Sequence, residues 1–261
     1  MADTGSVEPR LTGNVPLYKN VEPLNRQKHK GWGVKQADRP FDFLKENHFV
    51  PAIAGEFARA CASYPVIFLG DRRMPVIVMG LRNGQNFFVD TNGQFDADHY
   101  APAYVRRYPF VSAASADGQP STVCIDAAAN FVVSDNPEQP FFDDKGEPTQ
   151  YTQSAIEYVS AFESDVAKTE AFVERLVALD LFEEKTVNVA NPQDQDNPIK
   201  VAEYWGIAPA KLAALPADTV AEMNQNGELG AIYAHLASLN NWERILRRAS
   251  QEGAAQAPAQ A

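Results

Sequence analysis

The chain has 261 residues, 45% apolar and 22% charged, which suits a globular core and excludes a wholly disordered polymer. Its 23 basic and 34 acidic residues give a formal charge of −11, which disfavours nucleic acid and anionic membrane surfaces as partners but leaves room for a local basic patch. Cys61 and Cys124 are too few for a disulfide framework or a thiolate zinc site, and each sits in an apolar stretch as a buried free thiol.

Residues 1–14 are polar and read as disordered. They lack the basic-then-apolar pattern of a secretory leader, and the longest apolar runs, 65–69 and 75–81, fall far below the ~20 residues that span a bilayer. No integral membrane insertion and a cytoplasmic location are therefore expected. From 15 to 33 the chain predicts an irregular wrap around Leu17, Tyr18 and Leu24. Pro51 leads into a helix over 52–64, with Ile53, Phe57 and Cys61 on one stripe. The period then changes to strands at 65–69, 75–81 and 86–90, with a tight turn at Asn83-Gly84. This β-meander over 64–90 is apolar on both faces and needs cover.

Pro102 and Pro109 bracket residues 100–110, and Pro109 biases Tyr108 towards an extended conformation. Strands follow at 111–114 and 121–126 around a turn at Asp117-Gly118, and a shorter one at 131–133. An acidic, Pro-containing loop at 135–150 separates this β-rich region, 15–134, from a helical region, 151–250. There Ile156, Val159, Phe162, Val166, Phe172, Val173, Leu176 and Leu179 keep three- and four-residue spacings. Residues 183–189 read as a strand and 191–198 as a loop. Short helices begin at Pro209 and Asp218, and a last helix covers 228–248, open to a break near Asn240-Asn241. The tail, 251–261, is low in complexity and reads as disordered. The predicted class is α+β: an antiparallel meander and sheet in the N-terminal half, packed against C-terminal helices.

Catalytic signatures are scarce. There is no Gly-x-Gly-x-x-Gly, Walker loop, Gly-x-Ser-x-Gly or His-Glu-x-x-His, and no histidine is followed two residues later by an acid. No cofactor is implied. Asp96, Asp98 and His99 are a weak metal set, and a solvated turn is the simpler reading. On an extended segment Arg106 and Arg107 point to opposite faces, with Tyr104, Tyr108 and Phe110 on the face of Arg106. Such an arginine holds a carboxylate or phosphate bidentately, or else pairs with a structural acid. His235 reads as a core histidine or a functional one, and Trp205 as a core anchor or a ligand platform. The ligand-binding candidates are Arg106, Arg107, Tyr104, Tyr108, Trp205 and His235.

Several runs together are similar to one family. They are Leu17-Tyr18-Lys19, Glu56-Phe57, Tyr64-Pro65-Val66-Ile67-Phe68, Gly-Leu-Arg-Asn-Gly-Gln-Asn at 80–86, Pro-Ala-Tyr-Val-Arg-Arg-Tyr-Pro-Phe at 102–110 and Ala-His-Leu-Ala-Ser-Leu at 234–239. Over about 15–248 the chain resembles the SapC family of bacterial proteins, most specifically at 102–110. The resemblance implies a link to a paracrystalline surface layer and supplies no catalytic residues. It points to a non-catalytic accessory protein that binds a protein partner or itself, and that reaches the layer, if it does, by a non-classical route. The alternative is an enzyme or binder of a small anionic ligand, with an arginine where the sheet meets the C-terminal helices. A weaker alternative is a metal-dependent oxygenase with an atypical ligand set.

Overall fold

Short β-branched and aromatic runs dominate the first half of the chain and three- to four-residue apolar spacing the second. The computed structural model, which describes residues 16–113, 121–189 and 199–256, follows that division. Its strands are β1 Val21–Pro23, β2 Gly33–Val34, β3 Phe49–Pro51, β4 Val66–Leu69, β5 Met74–Val78, β6 Phe110–Ala113, β7 Thr122–Asp126, β8 Val132–Val133, β9 Gln139–Pro140, β10 Phe182–Val189 and β11 Ile199–Ile207. The helices are α1 Phe57–Ala60, α2 Ala103–Arg106, α3 Gln150–Ala178, α4 Pro209–Ala213, α5 Ala217–Gln225, α6 Glu228–Ser238 and α7 Trp242–Gln256. The fold is α+β, and no described helix is long and apolar enough to cross a membrane.

Chain contacts divide the protein into two units. The first holds residues up to Leu44 together with 91–94 and 105–164. It contains two three-stranded antiparallel sheets, in the orders β1-β7-β6 and β8-β2-β9. Paired residues across β6 and β7 share a face, so Phe110 opposite Ile125 and Val111 opposite Cys124 feed two separate clusters. Phe141 and Val159 complete the larger cluster, with Trp32 and Tyr151 at its margin. Gly33 lets β2 and β9 approach closely, because a Cβ there would lie 2.2 Å from the Gln139 carbonyl oxygen and 2.7 Å from Pro140 Cα.

The second unit holds 45–90, 95–104 and the chain from Asp165 onward. Its five-stranded antiparallel sheet runs β10-β11-β4-β5-β3 around a core that includes Phe57, Phe68, Leu176 and Ile207. β4 and β5 form the expected hairpin, but residues 86–90 are not its third strand. Asn86 accepts the Phe88 N–H through Oδ1 at 2.9 Å and donates to the Asn47 carbonyl at 3.0 Å, which rolls this segment into turns. β3 takes the outer side of β5 instead, pairing Val50 with Ile77.

Three further expectations change. The helix expected over 52–64 shortens to a 3-10 turn at Ala54–Glu56 followed by α1. Glu56 folds back onto the Ile53 N–H, and the Asn241 amide takes the carbonyls of Cys61 and Tyr64 where the helix ends. Residues before Pro209 form β11, which pairs with β10 along its length across a register shift at Val187/Asn188. α7 continues to Gln256, into the stretch whose composition suggests a tail. The expected disorder of 1–14, the turn at Asp117-Gly118 and the loop at 191–198 fall outside the described residues.

Candidate functional site

Residues 103–106 form one turn of helix, α2, so the two-residue alternation that grouped Tyr104, Arg106, Tyr108 and Phe110 on one face does not hold there. Tyr104 is buried on that turn. Arg106 is exposed, its guanidinium 5.4 Å from the Tyr158 ring centre. Arg107 is buried, 4.6 Å from the ring centre of Phe162 and 5.6 Å from that of Tyr18, with Nη1 3.5 Å from Glu163 Oε1. It therefore has the structural acid that the sequence left open.

Tyr108 stacks on Phe43 at 3.8 Å and donates its hydroxyl to Asp126 Oδ2 at 3.1 Å. Burial, reinforced by the Asp126 charge, pushes this phenol well above its ordinary range. Asp126 is fully buried and also accepts the N–H groups of Lys19, Asn20 and Ala128 at 2.9–3.0 Å. It is a tie point that pins the wrap beside β1.

His235, on α6, is fully buried. β4 and β11 pair at Phe68 and Trp205, so two residues along the antiparallel register Val66 faces Ile207. The imidazole fills that position: Nδ1 donates to the Val66 carbonyl at 2.7 Å, and Nε2 accepts the Ile207 N–H at 3.1 Å. Ser238 Oγ, one turn on, takes the Val66 N–H at 2.9 Å. Burial drives the His235 pKa down to about 4, so the ring is neutral and both nitrogens are committed to backbone. Trp205 lies half-buried on β11 beneath Arg73, whose guanidinium is 3.5 Å from its ring centre.

Asp96 and His99 do come together, but what faces them is cationic. Asp96 Oδ2 lies 3.0 Å from His99 Nδ1 and 2.9 Å from Arg248 Nη2, while Asp98 contributes only its backbone N–H to Asp96 Oδ1 at 3.3 Å. The His99 Nδ1 contact is close but off the hydrogen-bond line. Burial alone would raise the Asp96 pKa, but Arg248 and His99 outweigh it and hold the carboxyl below the ordinary range. Arg248 also donates to the Phe87 carbonyl and lies over Phe88, 4.5 Å from its ring centre. One turn earlier on α7, Arg244 donates through Nη1 to His99 Nε2 at 3.1 Å. Among the described residues no group of three or more His, Cys, Asp or Glu side chains forms a metal-binding set. A cation placed between Asp96 and His99 would also meet two guanidinium charges, so this cluster suits an anion.

The sequence reading missed Arg244 and Arg248. Their four-residue spacing on the last helix was visible, but it gives a shared face and no partner.

A protein-family model described as SapC matches residues 24–245. The chain belongs to the SapC family. No curated protein and no solved structure matches it. In this SapC chain two of the runs that carry the resemblance serve the scaffold: 234–239 supplies His235 and Ser238 to the sheet, and 102–110 supplies Tyr108 to the buried Asp126.

Proposed function

We propose that this SapC protein is a non-catalytic accessory protein of surface-layer biology that works by binding a protein partner or a second copy of itself. The observation that carries the reading is His235. It is a fully buried imidazole of the kind that does acid–base work, yet both its nitrogens hold backbone and neither is left for a substrate. Material for contact lies on the second unit, where Met74, Val177, Ile199 and Tyr233 are 46–59% exposed. The proposed location is cytoplasmic, with any contact to the layer made by a non-classical route.

Two measurements test this. Sedimentation velocity across a hundredfold concentration range should reveal self-association or, with candidate layer proteins added, a mixed complex. A monomer throughout, with no partner bound, removes the interaction reading. Deletion of the gene should disturb the lattice seen by electron microscopy of cell envelopes. An intact lattice at unchanged layer-protein abundance removes the surface-layer link.

A further inference from the structure

Arg244 is placed differently from Arg248, its neighbour one turn on along α7, and from Arg175 on α3. Arg175 is held by Glu222 and Glu228, and Arg248 by Asp96. Arg244 has no carboxylate within 4.0 Å among the described residues. The groups its Nη1 meets are His99 Nε2 at 3.1 Å and the Ser63 carbonyl at 3.4 Å, neither of them a carboxylate. A guanidinium offers five N–H donors and a permanent charge, so a half-exposed one with no carboxylate partner has directed capacity left over.

We infer that Arg244 anchors a small-anion site whose ligand is a carboxylate, with His99 as a positioning residue. The His99 ring is held edge-on to Phe88, 5.1 Å between centres, and against Asp96, which keeps Nε2 turned towards Arg244. Arg248 cancels the Asp96 charge that would otherwise repel an incoming anion. Two guanidinium charges less one carboxylate leave a single positive charge, which matches a monoanion better than a phosphate dianion. The planar fork of Arg244 accepts the two oxygens of a carboxylate in parallel. This anion-holding arginine lies on α7, in addition to the Arg106 and Arg107 candidates that the sequence suggested. The site is independent of partner binding, and its failure leaves that proposal untouched.

The test follows ring resonances by NMR while sodium acetate, and separately sodium phosphate, is titrated into the full chain at constant ionic strength. Acetate should shift the His99 ring saturably while the His235 ring stays fixed. Arg244→Gln should weaken the response about tenfold or more, the loss expected for a charge-assisted hydrogen-bonded pair. Arg247→Gln, which removes the same charge from an exposed neighbour, should leave it unchanged. The inference is overturned if the His99 and His235 rings shift alike in the unmodified protein, a comparison that does not depend on any variant folding. Equal weakening in the two variants, or tighter binding of phosphate than of acetate, also overturns it.

Discussion

At the scale of single residues, His235 shows how a chemically capable side chain is taken up by structure. In the unfolded chain its ring titrates near the ordinary 6.5, and in the fold burial lowers this to about 4. The folded-state value is the depressed one, so the contribution to stability is complete above pH 6.5 and is lost as pH falls towards 4. The shift corresponds to roughly 3 kcal/mol. NMR titration of the ring should give a midpoint near pH 4, and a midpoint near 6.5 would show that the ring is free in solution. The sequence allowed either role, because a histidine on an apolar helix face looks the same in both. What decides is that Val66 and Ile207, far from it in sequence, present a carbonyl and an N–H one ring apart. Arg107 is similar: its type announced an ion pair, while Glu163 is identified only once the chain is folded.

At the scale of elements, local chemistry was read well wherever backbone geometry alone decides. Gly84 adopts a φ of +80° in the expected turn, and β4, β5, β6 and β7 lie within a residue or two of their predicted spans apart from the end of β5. Elements defined by distant partners were not legible. β3 is three residues long and exists because β5 offers it an edge, and β11 was hidden beside a run of short helices. The 86–90 segment had strand-like residues, but the Asn86 side chain competes locally for the backbone. Gly33 marks a close approach of β2 to β9, so Gly33→Ala should cost about 2–3 kcal/mol in urea unfolding. A loss under 0.5 kcal/mol would mean that β9 can withdraw freely.

At the scale of the whole molecule, net charge sets the terms of association. Copies that each carry −11 repel, and salt shortens the reach of that repulsion from about 8 Å at 0.15 M to about 3 Å at 1 M. Self-association through half-exposed apolar side chains should therefore tighten with salt in sedimentation runs, whereas an interface built of ion pairs would loosen. The α+β class was legible at this scale because composition and period report it directly, while the anion-suited cluster was not, because Asp96, His99, Arg244 and Arg248 meet only through the fold. The imidazole bridge between β4 and β11 bears on motion as well as on stability. The Ile207 amide hydrogen bonds to a helix side chain where its neighbour strand would otherwise supply a carbonyl, so its protection from deuterium tracks the seating of α6. His235→Ala should speed exchange at Ile207 while the amides that cross between β4 and β5 keep their rates, making one backbone proton a clock for how often a helix lifts from its sheet.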